Sequence, residues 1–211
     1  MLWIAVAIII SYLIGSIPTA YVFGRARGID IRQHGSGNVG ATNALRVLGK
    51  KTGIIVLGID ILKGLVPVIF LGNILSVKTL PLMNDEQLRI LIALMCIVGH
   101  NWTVFLNFKG GKGMATSLGV LIGLATKVSG LGAVLGIAMG AWLVIFFAIR
   151  IVSLASIISA LILPLAAFFI KLSPLLIGTS IVLCAFIIIR HKANIARLVK
   201  GKEPRLSFKK K

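Results

Sequence analysis

Carboxylates are the scarcest chemistry in this chain: five Asp and Glu among 211 residues, against 23 Lys and Arg. Paired carboxylates for general acid–base work, or clustered ones for a divalent metal, are therefore hard to assemble. Cysteine is nearly absent too. Cys96 and Cys184 lie in apolar runs, form no CxxC pair and match no metal spacing. They read as small core residues, and a disulfide scaffold is excluded. Charged residues make up only 13% of the chain, where a soluble domain carries about 25%. With 58% apolar residues and a mean hydropathy of +1.04, too little polar surface is left to face water. A water-soluble enzyme and a disordered chain are excluded, which leaves an all-α polytopic membrane protein.

Seven apolar runs predict seven transmembrane helices in a single membrane domain spanning 1–211. Their approximate bounds are 2–23, 54–75, 88–108, 114–126, 128–149, 151–170 and 172–189. The first run has no basic start and no early cleavage pattern, so it reads as a helix that stays and not as a signal peptide. Residues 114–149 form one apolar stretch that would be about 54 Å long as a single helix, against a hydrocarbon core of about 30 Å. It must turn, and Lys127-Val128-Ser129-Gly130 is the expected place. Gly132, Gly136 and Gly140, and likewise Gly119 and Gly123, read as close helix packing.

Basic residues set the sidedness. With the N-terminus outside, the inner segments carry six, two, one and nine Lys and Arg, eighteen in all, and the outer ones carry four. The positive-inside rule then places the C-terminus in the cytoplasm. The net charge of +18 is read as this bias plus attraction to anionic membrane lipid or substrate. No nucleic-acid partner is expected, because the cations sit in short loops between spans.

The polar residues cluster on that inner side. The first inner loop holds Gly35-Ser36-Gly37-Asn38-Val39-Gly40-Ala41-Thr42-Asn43, followed by Arg46. It contains GxGxxG literally, but no strand precedes it, so it is no dinucleotide fingerprint. Glycines still allow backbone N–H groups to approach a phosphate, and a short helix from Val39 to Leu48 would offer its positive end. The second inner loop, Lys109-Gly110-Gly111-Lys112-Gly113, is not a Walker loop: Leu106 and Gly113 stand where Gly and Ser or Thr are required. Two lysines and three glycines at a helix start nevertheless suit an anion. Within the membrane, Asp60 and Lys63 share a face of the second span, and His100 and Asn101 lie in the third, at similar depth. These four are expected to support the site. In the tail, His191 and Asn194 share a helix face with Arg197 or Leu198. Lys209, Lys210 and Lys211 read as lipid-binding charge.

Taken in order, Ser16 to Tyr21, the GSGNVGATN run with Arg46, Asp60 to Gly64, Gly99-His100-Asn101-Trp102 continuing through Phe108 to Gly113, and Arg190 to Arg197 resemble a known family. It is the bacterial membrane glycerol-3-phosphate acyltransferases that use acyl phosphate as donor. The resemblance implies a seven-helix fold with an outer N-terminus and transfer of a long-chain fatty acyl group to the 1-hydroxyl of glycerol 3-phosphate. The products would be lysophosphatidic acid and phosphate, the first step of phospholipid synthesis, at the cytoplasmic face of the bacterial inner membrane. No cofactor and no metal are implied, and a monomer is expected. The family lacks the His-x4-Asp motif of other glycerolipid acyltransferases, and none of the three histidines here opens one.

Because a mixed anhydride is already activated, the protein need supply mainly orientation and charge neutralisation. The expected catalytic residues are Ser36, Asn38, Arg46, Lys112 and His191. Ser36, the glycine-loop amides (Gly35, Gly37, Gly40) and Arg46 are assigned one phosphate. Lys109 and Lys112, with Gly110, Gly111, Gly113, His191 and Asn194, are assigned the other. Thr42 and Asn43 are assigned to the first phosphate as well, and Asn38, Thr42 or a lysine steadies the carbonyl oxygen. Either the departing phosphate or His191 takes the proton. A carrier for phosphorylated metabolites and a phosphate-transferring membrane enzyme are the alternatives. One-sided clusters argue against the first, and the shortage of acids argues against the second.

Overall fold

The computed structural model describes residues 1–79 and 82–206. Among them the ordered elements are all helical. They are α1 (Leu2–Ser16), α2 (Thr19–Arg25), α3 (Ala41–Val47), α4 (Lys50–Thr79), α5 (Asp85–Asn101), α6 (Met114–Ala125), α7 (Leu131–Ile149), α8 (Val152–Phe169), α9 (Pro174–Arg190) and α10 (Lys192–Val199), with 3-10 turns at Ile31–Gln33 and Val104–Leu106. Among the described residues four helical segments are long and apolar enough to cross a membrane, and up to six if the bent pairs α1–α2 and α9–α10 each count as one. The chain is a multi-pass helical membrane protein. The contacts divide it into two compact units, Met1–Val128 and the part that begins at Ser129. The tail lysines Lys209, Lys210 and Lys211 lie outside the described residues.

In the first unit, the expected span 2–23 is broken. Pro18 has no N–H and disfavours helix at the residue before it. Ile17 is accordingly extended, with ψ 113°, and α2 leaves at 43° to α1. A break within hydrocarbon exposes carbonyl oxygens that water cannot reach, and side chains meet them. Lys63 Nζ donates to Ile17 O at 2.9 Å, and Thr103 Oγ1 donates to Ser16 O at 2.6 Å. Asp60 completes the joint, 2.8 Å from Lys63 Nζ and accepting from Thr19 Oγ1 at 2.9 Å. The polar pair read from the second span is thus the clamp on the break in the first.

Small residues bring the helices close. A Cβ on Gly15 would collide with the Cys96 backbone, and one on Gly99 with the Tyr12 carbonyl, so α1 and α5 touch through backbone. Gly64 against Thr116 and Gly119 against Ile61 do the same for α4 and α6. The packing expected at Gly119 and Gly123 is therefore present. The apolar stretch 114–149 turns as expected: α6 stops at Ala125, and Gly130 opens α7 in a left-handed conformation with φ +82°. At 12 residues, α6 is about 18 Å long, well short of the hydrocarbon thickness.

In the second unit, α7 packs on α8 through Leu131, Val134, Ala138 and Phe146, and Ser159 Oγ donates to Ala138 O at 2.7 Å. The stripe Gly132, Gly136, Gly140 does not make the helix contact expected of it, because nothing among the described residues lies within 4 Å of where their Cβ atoms would stand. The buried face of α7 is a different one. After α9 the chain bends by 62° into α10, and the segment beyond it folds back. The backbone N–H of Leu206 donates to Arg150 O at 2.7 Å. The Glu203 carboxylate, nearly buried, accepts from Ser153 Oγ and Arg197 Nε, each at 2.7 Å, and from Asn194 Nδ2. Burial pushes this carboxyl up, but the three hydrogen bonds and the Arg197 charge outweigh it and hold it below the ordinary Glu value.

Two outcomes are expected. Lys63→Met, which leaves the Asp60 carboxylate buried and alone, costs about 3–5 kcal/mol, and the double change with Asp60→Leu costs less than the single one; thermal melting in detergent measures both. A depressed carboxyl stabilises fully above its ordinary pKa of 4.5 and loses that stabilisation as pH falls through its folded value. Glu203→Gln therefore lowers stability at neutral pH by about 1–3 kcal/mol and flattens the acid-side fall in Tm, as followed by melting across a pH series.

Candidate functional site

The glycine loop is built around one side chain. Asn43 in α3 is 1% exposed. Its Oδ1 accepts from the Ser36 N–H at 2.9 Å, and its Nδ2 donates to Ile31 O and His34 O at 3.2 and 3.1 Å. All of this side chain is spent on pinning the 31–36 backbone. Gly35, at φ +61°, passes so close that a Cβ would collide with Asn43 Oδ1. The upstream end is held by Arg32, which pairs with Asp30 through Nη2 at 2.7 Å and lies 4.8 Å over the Tyr21 ring. The hydrogen bonds from Arg32 bring the Asp30 carboxyl down to about 2. Beneath the loop sits a small apolar core of Ala20, Ile31, Val39, Ala44, Leu48, Val56 and Leu106. Arg27 Nη1 donates to Leu48 O at 2.7 Å and closes the end of α3. The result is a fixed loop with Gly35 and Ser36 exposed at its tip, Arg46 exposed on α3, and Gly37, Asn38, Gly40 and Thr42 half-buried.

The second loop starts earlier than hydropathy predicts. Residues 88–108 read as one span, but α5 ends at Asn101. Thr103 turns the chain: its Oγ1 accepts from the Phe105 N–H at 3.2 Å while donating to Ser16 O. Asn107 and Phe108 then adopt positive φ, +50° and +60°. His100 and Asn101 consequently lie in the last turn of α5, not two turns inside it, both buried. The lysine loop folds back over them. The Gly110 N–H donates to Asn101 O at 3.2 Å, and the Gly111 N–H to His100 O at 2.9 Å. A Cβ on Gly110 would strike the His100 carbonyl, and one on Gly111 the His100 ring. These two glycines therefore have a packing reason, and their amides cap α5. Facing outward from the loop are Lys109, exposed, and Lys112, half-buried, followed by Gly113 as the N-cap of α6. Leu106 belongs to the core under the glycine loop, so one packed cluster carries both segments.

His191 and Asn194 belong to the second unit, where both are buried at the α9–α10 bend. The His191 ring nitrogen Nδ1 lies 2.8 Å from Ile187 O, and Asn194 is held by Glu203. The clamp residues Thr19 and Thr103, and Glu203, were not singled out by the sequence patterns. Glu203 had a signal, as the one acid in a tail with nine cations. Thr19 lies in the Ser16–Tyr21 run, which did not reveal its role, and Thr103 had no signal, since it looks like any polar residue beside an apolar run.

Comparison with known proteins gives one result. A family profile described as glycerol-3-phosphate acyltransferase matches residues 5–201. The glycerol-3-phosphate acyltransferase of Trichlorobacter lovleyi is 42% identical over 203 residues, covering 96% of this chain and 95% of its own. Glycerol-3-phosphate acyltransferase 2 of Moorella thermoacetica is 45% identical over 207 residues, covering 97% and 98%. Two crystal structures of PlsY (YgiH), an integral membrane glycerol 3-phosphate acyltransferase, are each 38% identical. The glycerol 3-phosphate form has a TM-score of 0.84 and covers 97% of this chain and 96% of that one. The lysophosphatidic acid form has a TM-score of 0.81, with 97% and 95% covered. The chain belongs to the glycerol-3-phosphate acyltransferase family of integral membrane proteins.

Proposed function

We propose that this protein transfers a long-chain fatty acyl group from acyl phosphate to the 1-hydroxyl of glycerol 3-phosphate. The observation that carries the reading is the pairing of two rigid, cation-bearing segments on one small core. Ser36 sits on a loop locked by Asn43, Arg46 on the helix α3 that follows it, and Lys109 and Lys112 on a loop locked to the end of α5. Two anchored clusters suit two substrates that each carry a phosphate. We assign Ser36 and Arg46 one phosphate and Lys109 and Lys112 the other. His191 and Asn194 are further substrate-binding groups in this reading. Asn38, Thr42 or a lysine steadies the carbonyl oxygen, and Asn43 acts by holding the loop that carries Ser36.

The glycerol hydroxyl oxygen attacks the acyl carbonyl carbon, a tetrahedral oxyanion forms, and the bond from that carbon to the phosphate oxygen breaks. The hydroxyl proton leaves with the departing phosphate, a competent base at neutral pH. Cations and fixed donors stabilise the oxyanion and the leaving group. No cofactor or metal enters the scheme. The membrane arrangement that goes with it counts the broken α1–α2 pair, α4, α5, the short α6, α7, α8 and α9 as seven spans. It sets the N-terminus outside, the C-terminus in the cytoplasm and the active site at the cytoplasmic face of the bacterial inner membrane, with the chain working as a monomer.

Purified protein in detergent with EDTA and glycerol 3-phosphate tests the donor directly. Palmitoyl phosphate yields lysophosphatidic acid and phosphate, whereas palmitoyl-CoA and palmitoyl carrier protein do not; turnover of either thioester at a comparable rate contradicts the reading. Arg46→Ala loses about 10²-fold or more in kcat/KM if it holds a substrate phosphate. His191→Gln separates the proton routes: a loss of only several-fold in kcat fits the departing phosphate as base, and about 10²–10⁴-fold fits His191.

A further inference from the structure

Buried polar side-chain atoms without a hydrogen-bond partner among the described residues occur singly at Ser11, Ser16 and Asp85, and four more belong to the end of α5 and the first turn of α6. Asn101 contributes Oδ1 and Nδ2, Thr116 its Oγ1 and Ser117 its Oγ. Asn101 is 0% exposed, Thr116 0% and Ser117 4%. The carboxamide is aimed at the start of α6: a Cβ on Gly113 would come within 2.8 Å of Asn101 Oδ1 and 3.3 Å of its Nδ2. Thr116 and Ser117 follow Gly113 by three and four residues, so they lie on the same side of the first turn. That turn presents backbone N–H groups with no acceptor inside the helix. A 12-residue helix that starts directly after Lys112 therefore has donors, a buried amide and two buried hydroxyls at one end.

An unpaired buried polar group bears its full desolvation cost, which makes each such group require an explanation. Groups that break the local rule without a compensating contact are expected where function requires them. Leucine would fill the volume of Asn101 at no such cost. We infer that Asn101 is a positioning residue for the lysine loop: its carboxamide bonds the backbone at the start of α6 when a substrate phosphate occupies Lys109–Gly113, with Thr116 and Ser117 completing the set. The inference rests on the two-phosphate reading and adds a residue that acts through the loop, not on the reacting atoms. An anion drawn to Lys109 and Lys112 pulls the Gly113 corner, and Asn101 fixes the corner in its loaded position.

Asn101→Leu tests this with two readouts. Without substrates, its Tm stays within about 2 °C of the parent or above it. In turnover, KM for one of the two phosphate substrates rises about tenfold or more while KM for the other stays within about twofold. Unchanged Michaelis constants overturn the inference. A clear drop in Tm without substrates overturns it too, because the carboxamide would then already be serving the fold. Should Asn101→Leu not be produced in amounts that allow melting or assay, hydrogen exchange in the unsubstituted enzyme decides. Saturating glycerol 3-phosphate or a non-transferable acyl phosphonate slows exchange in the 109–117 segment if Asn101 locks the loaded loop, and equal exchange with either contradicts it. A parent enzyme with no activity on acyl phosphate removes the two-phosphate reading itself, and the inference with it.

Discussion

A broken helix leaves carbonyl groups without helical partners, and the first unit is organised around one such break. Pro18 ends α1, and the exposed oxygens of Ser16 and Ile17 are met by Thr103 and Lys63. Because these donors come from the end of α5 and the middle of α4, satisfying the break ties three helices together at one depth. The lysine is buried, so it needs its own counter-charge, and Asp60 supplies it. From this joint α2 leads into the glycine loop, and Thr103 leads into the lysine loop. The direction of both candidate binding segments thus follows from one proline and the groups that compensate it.

Four of the five acids are accounted for by their placement. Asp30 is paired with Arg32, Asp60 with Lys63, Asp85 with Arg89 and Glu203 with Arg197. Each of these four holds a loop, a break or a helix end in place. These four carboxylates are therefore structural, which supports the proposal that the acyl donor brings its own activation. An acyl phosphate does so, because its leaving group is already good and departs as a base. What such a donor asks of the protein is fixed positive charge and hydrogen-bond donors in a stated geometry. The Asn43 bracket around Ser36 and the Gly110–Gly111 cap on α5 supply that rigidity.

Hydropathy made the helical membrane class and most helix limits legible, because lipid-facing helices must be apolar along their whole length. It failed where apolar residues are not helical. Trp102, Val104, Phe105, Leu106 and Phe108 extend the third run on any scale, but Thr103 and the positive φ at Asn107 and Phe108 end the helix at Asn101. The glycine motifs were legible as sites of close backbone approach, though not as to what is approached: a phosphate in one reading, the His100 carbonyl and ring in the structure. Asn43 shows the same ambiguity. A polar residue in a glycine loop can bind a ligand or hold the loop, and only the three hydrogen bonds to Ser36, Ile31 and His34 distinguish them. The spacing of Gly132, Gly136 and Gly140 promised helix packing, yet spacing does not say which face of α7 is buried.

The central claim is that the glycine loop and the lysine loop gather two anions on one side of the bilayer. Single cysteines at Ser36 and Lys109, in a background with Cys96 and Cys184 replaced, can be probed with a membrane-impermeant thiol reagent in right-side-out and inside-out vesicles. Both positions label only in inside-out vesicles if the claim holds. Labelling of the two from opposite sides would contradict it.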